Sequence, residues 1–492
     1  MTRARTVLSV AGLIAALMGA PDQVAHQRIA WHDCRTTPDD ETGEQLAAAG
    51  ASCGEVTVPL DYANPTGRTI TVAIARRPAT DTAHRRGTLV VNTGGPGPSR
   101  DGVVLLAQRP SISAVYDLVG IDPRFFGLST PLECGWPTDL YLRSAQLASP
   151  DRAAHERSVA VARELAARCA PHRDVLPYAS TRNMARDMDL VRAALGERKV
   201  SYLGWSFGTH LGAVYLQMFG EHTDRIVLDS AMDPDAAGPR LTRNLGPADA
   251  AALRDWARWA AQHDEHLGET EDDVLAVVAT IAQGPLQVGD HSIDTAMIPG
   301  LLLTAEDTDT FYAELSAQVR VLRDAALGLP VTPTPDQEQR LSLYDNTDVI
   351  PEFGFSALVA NQCADRAAPR DPEVYFRDVQ AHLDTEPLFG PLFRDITPCA
   401  FWPVRPLETL PTITTGHPAL LVGASGDPAT PYAGQRALHR ALTGSRMITL
   451  DDAYRHGVYL FDPAACVTDA VETYLLGGAL PSADVTCARD PH

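Results

Sequence analysis

Val200-Ser201-Tyr202-Leu203-Gly204-Trp205-Ser206-Phe207-Gly208-Thr209 joins an apolar run to a helical pattern that continues through Phe219. A buried strand, a Gly-x-Ser-x-Gly turn and a helix put the serine on a sharp bend with its hydroxyl exposed. The flanking glycines relieve crowding there. The pentapeptide alone is weak, because Gly and Ser are common; between a strand and a helix it is a nucleophile elbow.

Reading outward, strand and helix alternate. Glu55–Leu60, Thr69–Arg77, Thr88–Asn92, Tyr116–Asp122 and Arg225–Asp229 read as strands, and Arg152–Ala170, Thr181–Gly196 and Thr209–Phe219 as helices. This alternation predicts a parallel α/β sheet covered by helices. From about Leu245 helices dominate, with Ala248–Gln262, Glu271–Gln283 and Thr308–Ala326 all offering apolar faces. The strand pattern resumes at Pro418–Ala424 and Met447–Leu450. A sheet that stops, takes a helical insertion and resumes is a core with a lid. The expected division is a leader over 1–25, core over 26–235, helical lid over 236–407 and core again over 408–492.

A serine hydroxyl needs a histidine to take its proton, and the histidine needs a carboxylate to orient it. On such a sheet the chain order is Ser, acid, His. Asp427 lies just past Pro418–Ala424, and His456 just past Met447–Leu450. Both therefore fall on loops at the carboxyl ends of strands, where α/β sheets gather their sites. Asp451, Asp452, His417 and His439 are rivals in worse positions. The third requirement is a pair of N–H donors for the tetrahedral oxyanion. Thr93-Gly94-Gly95-Pro96-Gly97 leaves an early strand where that loop is expected, so the donors are assigned to Gly95 and Phe207. A dinucleotide loop competes for these glycines, but Gly-x-Gly-x-x-Gly is absent and no helix obviously starts there.

The 492 residues carry 41 Lys+Arg against 62 Asp+Glu, a net charge of −21, with 45% hydrophobic residues. That sign disfavours nucleic acid and anionic lipid. Met-Thr-Arg-Ala-Arg followed by an apolar run over Val7–Ala20 is the pattern of a secretory signal, too short for a permanent span. Stable membrane insertion is not expected once it is removed. Eight cysteines follow: Cys34, Cys53, Cys134, Cys169, Cys363, Cys399, Cys466 and Cys487. They lack zinc-site spacing, and behind a secretion signal an even count reads as four disulfides. Pairing neighbours (34–53, 134–169, 363–399, 466–487) is the simplest of the ~105 arrangements. No metal or cofactor is expected, and nothing sets the oligomeric state.

A resemblance now becomes specific. Asn92-Thr93-Gly94-Gly95-Pro96-Gly97, Asp122-Pro123-Arg124, Tyr202 to Thr209, Val227 to Pro234, Gly426 to Tyr432 and His456-Gly457-Val458-Tyr459 stand in order. Together they resemble the secreted bacterial tripeptidyl aminopeptidases, α/β-hydrolase serine peptidases related to prolyl aminopeptidases. The resemblance spans nearly the whole chain after the leader. It implies an α/β-hydrolase fold, Ser206, Asp427 and His456 as the triad, and release of short peptides, tripeptides in particular, from free N-termini beneath the lid. Two departures stand out. Pro98 and Arg100 follow Gly97 where the family has small residues, and Phe125 and Phe126 precede Gly127. Bulk and a cation beside the oxyanion loop are expected to reshape the pocket.

An exopeptidase also holds its substrate's ammonium on a carboxylate. Asp365 is the candidate, on a loop that Cys363 would pin. The competing function is an esterase or amidase acting on small acylated metabolites with the same triad, because fold does not fix substrate.

Overall fold

A computed structural model describes residues 27–350 and 354–489; the expected leader lies outside them. The strands are β1 (Ser52–Pro59), β2 (Thr69–Arg77), β3 (Thr88–Asn92), β4 (Asp117–Ile121), β5 (Val200–Trp205), β6 (Thr223–Asp229), β7 (Leu286–Val288), β8 (His291–Ile293), β9 (Ala419–Ala424), β10 (Ser445–Leu450) and β11 (Val485–Cys487). β7 and β8 pair with each other, and the other nine form one sheet in the order β1-β2-β4-β3-β5-β6-β9-β10-β11. β1 and β2 are antiparallel to their neighbours, and from β4 to β11 every pairing is parallel.

The central strands read as unbroken apolar runs because both faces are covered. β3, β4, β5 and β9 are buried at every position. Alternate residues serve opposite faces. Val90, Tyr202, Ile226, Leu228 and Leu421 join one core, whereas Leu89, Val91, Leu203, Val227 and Leu420 join another.

Seven helices position the site: α1 (Thr181–Ala194), α2 (Phe207–Phe219), α3 (Gly246–His263), α4 (Asp309–Ala326), α5 (Phe355–Asp365), α6 (Tyr432–Ala441) and α7 (Ala465–Gly477). α1, α2 and α6 cover the first face of the sheet and α7 the second. Their starts carry ordinary signals. Ser180 caps α1 by accepting from the Asn183 N–H, and Pro247 occupies the first turn of α3.

Between β6 and β9 the chain builds a third core from Leu253, Trp256, Val278, Leu315 and Val319, so the insertion packs largely on itself. Its packing does not follow the 236–407 boundaries. Leu142 and Ala148, well before residue 236, belong to the insertion's core. Conversely α5, with Ala357, Ala360 and Cys363, packs into the first core beneath the sheet. All four neighbouring cysteine pairs are disulfide-bonded. No described helix is long and apolar enough to cross a membrane.

Candidate active site

The chain leaves β5 and turns straight into α2, and this forces Ser206 to φ +54°, ψ −122°. An L-residue adopts that conformation only when its surroundings impose it. The Ser206 N–H donates to the Asp229 carbonyl at 3.0 Å, so the bend hangs from the end of β6. At Gly208 an added Cβ would lie 2.7 Å from the Asn92 Oδ1, so no larger residue fits there.

Asp427 follows β9 and is fully buried. Its Oδ1 accepts the Ala429 and Thr430 N–H groups, each at 2.9 Å; its Oδ2 accepts the Thr430 hydroxyl at 2.7 Å and the Gln435 amide at 3.3 Å. The His456 Nδ1 lies 3.1 Å from both carboxylate oxygens. A carboxylate held by this many donors has little freedom to turn, so it fixes the imidazole plane. With Nδ1 engaged, Nε2 is the nitrogen left for a substrate-side proton. Burial works against the imidazolium, but the charge and hydrogen bond of Asp427, with Asp229 behind it, outweigh burial and raise the His456 pKa.

The loop carrying His456 is suspended from the same strand end as the serine. The Gly457 N–H donates to the Ser230 hydroxyl at 2.8 Å, and the Tyr459 N–H to the Asp229 carboxylate at 2.6 Å, with Val458 bonding both Asp229 oxygens. The insertion supplies the remaining tie, because the His456 N–H donates to the Ala305 carbonyl at 2.9 Å. Asp229 is thus a brace between the β5 bend and the β10 loop. Burial pushes its carboxyl up to about 7, against the opposing pull of those N–H groups.

The Thr93–Gly97 loop presses against the bend. At Gly94, φ +100°, a Cβ would stand 2.9 Å from that of Ser206, so only glycine fits. The Gly94 N–H is spent on the Asn92 side chain at 3.1 Å. Among the described residues the Gly95 and Phe207 N–H groups have no protein acceptor, and Phe207 is the first residue of α2. First-turn N–H groups have no partner inside their own helix and favour an anion. A short helix does begin at Gly102, five residues beyond Gly97, contrary to the expectation that none starts there.

A family model described as "TAP-like protein" matches residues 386–487, and one described as "alpha/beta hydrolase fold" matches 87–270. The chain is 35% identical over 508 aligned positions to the tripeptidyl aminopeptidase of Streptomyces coelicolor, covering 96% of this chain and 88% of that one. It belongs to the TAP-like family of α/β hydrolases. Other relatives are carboxylesterase B of Mycobacterium tuberculosis, 34% identical with 96% and 91% covered, and that organism's serine protease Hip1, 28% identical with 94% and 91% covered.

In this TAP-like hydrolase two expectations about the pocket need correcting. The Arg100 guanidinium is not a free cation beside the oxyanion loop. Its Nε donates to Asp122 at 2.7 Å and the side chain is buried beside the Cys34–Cys53 disulfide. Phe125 and Phe126 are buried in the first core, so their bulk goes into packing. Nor is Asp365 open to an ammonium. It sits at the end of α5, and its two oxygens accept the Thr181 N–H at 2.7 Å and the Thr181 hydroxyl at 2.6 Å, tying α5 to the start of α1. Asp229, Ser230, Thr430 and Gln435 were not singled out by sequence reasoning. Asp229 ends a strand within a quoted motif and Thr430 lies three residues past Asp427, so position alone could have found those two.

Proposed function

We propose that the chain is an exported serine aminopeptidase that releases short peptides, tripeptides foremost, from free N-termini through an acyl-enzyme on Ser206. The observation that carries this is the Asp427–His456 pair, hung from the same strand end as the Ser206 bend. His456 Nε2 takes the Ser206 proton as Oγ attacks the scissile carbonyl, while Asp427 holds the ring and stabilises the imidazolium. The Gly95 and Phe207 N–H groups receive the oxyanion. His456 then returns the proton to the leaving amine, and water repeats the sequence on the acyl-enzyme. The name of the Streptomyces relative supports the peptide substrate, and the four disulfides support an oxidising compartment. The insertion, as a lid, limits entry to chain ends.

The 34% identity to a carboxylesterase favours a second reading, hydrolysis of small acyl esters by the same groups. Tripeptide p-nitroanilides with free and with acetylated N-termini, assayed beside short acyl esters, separate the two. Preference for the free amine supports the aminopeptidase. Indifference to acetylation, or turnover of esters alone, selects the esterase.

A further inference from the structure

Just before α4, residues 303–308 of the insertion form neither helix nor strand. They lie along the loop that carries His456. The His456 N–H donates to the Ala305 carbonyl at 2.9 Å, and the Tyr454 N–H donates to the Asp307 Oδ2 at 2.7 Å. These two bonds seat the loop on the insertion on either side of Arg455. Asp229 holds the same loop after His456, through the Val458 and Tyr459 N–H groups. Asp307 holds it before.

The Asp307 side chain is fully buried, and one N–H does not compensate a carboxylate taken out of water. Two guanidinium groups complete its shell. Arg489 places Nη1 2.9 Å from Oδ2, and its Nη2 donates to Oδ1 at 3.1 Å and to the Asp307 carbonyl at 2.9 Å. Arg455, only 3% exposed, stands with Nη1 3.7 Å from Oδ1 and 2.8 Å from the Asp462 Oδ2. Arg455 also donates to the Gly457 carbonyl at 3.3 Å and to the Phe461 carbonyl at 2.5 Å. Asp307 and Asp462 are thus balanced by Arg455 and Arg489, and the His456 loop is threaded through the set.

Arg489 is itself placed by the edge of the sheet. It follows β11 by two residues, and Cys487, which ends β11, is bonded to Cys466 on α7. The Cys487 carbonyl accepts the Asp451 N–H at 2.9 Å, next to the end of β10. The grip on Asp307 therefore runs from the last disulfide, through Arg489, to the segment beneath the His456 loop.

We infer that Asp307, clamped by Arg489, is a positioning residue for the catalytic base. It touches no reacting atom. It fixes the main chain that carries His456, whereas Asp427 restrains only the ring through Nδ1. The inference rests on His456 as the base and is indifferent to which acyl group is cleaved.

The test measures kcat, KM and the pH profile of kcat/KM in Asp307→Asn, Arg489→Ala, Arg489→Lys and the double variant Asp307→Asn/Arg489→Ala. The substrate is the tripeptide p-nitroanilide or the short acyl ester, whichever wild type turns over. Arg489→Ala is expected to lower kcat about 10- to 100-fold with KM changed less than about twofold. Arg489→Lys keeps the charge and restores part of the rate. The double variant should lose no more than the worse single one, because both act through one contact. The acid limb of kcat/KM should move to lower pH, since a displaced His456 loses part of the Asp427 interaction that raises its pKa. Thermal unfolding verifies each fold, and Arg489, at a partly exposed chain end, keeps the test open should Asp307→Asn not fold. A kcat within about twofold of wild type in folded Arg489→Ala overturns the role, whatever its melting temperature. A loss carried by KM overturns it too, because it would place the clamp at the substrate rather than behind the base. Undiminished turnover in His456→Ala overturns the triad reading itself.

Discussion

Asp427, following β9, and Asp249, on α3 of the insertion, are both buried acids, and they are held in opposite ways. Asp427 accepts two backbone N–H groups, a hydroxyl, an amide and the imidazole. Asp249 accepts nothing from any described residue. The sheet presents its charged groups on loops whose backbone N–H groups are free to point inward, so the first donors come from within three residues of Asp427, and Gln435 and His456 complete the set. Asp249 lies in the first turn of α3, where N–H groups are free, yet its carboxyl accepts from none of them. The sheet end is therefore built to stay fixed by its own donors, whereas Asp249 is buried without any.

The sharpest way to break this comparison is at the nucleophile. Ser206→Ala is expected to lower kcat by about 10⁴- to 10⁶-fold with the fold retained. Asp427→Asn is expected to cost about 10⁴-fold, because an amide in that position favours the wrong imidazole tautomer. Steady-state assays with far-ultraviolet circular dichroism check both. Substantial turnover in Ser206→Ala removes the mechanism altogether.

Asp229 probes the rigidity of the sheet end. Asn at this position turns one acceptor into a donor facing the Val458 and Tyr459 N–H groups, and the His456 loop loses part of its anchor. A kcat loss of about 10- to 100-fold with KM little changed is expected. Equal losses in stability and no kinetic split would make Asp229 an ordinary structural acid. The pH profile gives a smaller effect. Asp427 raises the His456 pKa against burial, and the base form is required, so kcat/KM should fall with acidification through a value above 6.5, the ordinary imidazole figure. An acid limb centred below that value would show that the carboxylate does not dominate the ring.

What was legible in the sequence follows the same division. The Ser206 bend, the Gly94-Gly95 loop, Asp427 and His456 were readable because each sits at a strand end, and a strand end is announced by a local change of pattern. The four neighbouring disulfides were readable because each closes a modest loop. The short strands β7, β8 and β11, three residues apiece, are too brief to show a period of two. Asp365 was chosen for a disulfide nearby, but what decides its role is Thr181, 184 residues away in the chain. Asp249 carries no local signal at all, as one acid among 62 Asp and Glu. Only the absence of donors around it in three dimensions sets it apart.

The same absence predicts how stability should vary with pH. In the folded chain the Asp249 carboxyl is held up to about 8 by burial and by Asp427, against an ordinary 3.8. The unfolded chain sheds this proton above pH 3.8 while the folded chain keeps it, so the group's contribution is fully present below that pH. It is lost as pH rises toward 8. Asparagine does not titrate. The melting temperature of Asp249→Asn should therefore match that of wild type near pH 4 and exceed it by a growing margin up to about pH 8, as recorded by thermal unfolding across that range. Asp427→Asn should do the reverse at neutral pH, because it removes a satisfied acceptor and strands the donors around it. A flat or negative margin for Asp249→Asn would mean that the carboxyl has a partner in the folded chain. The difference between a satisfied and an unsatisfied buried acid would then vanish.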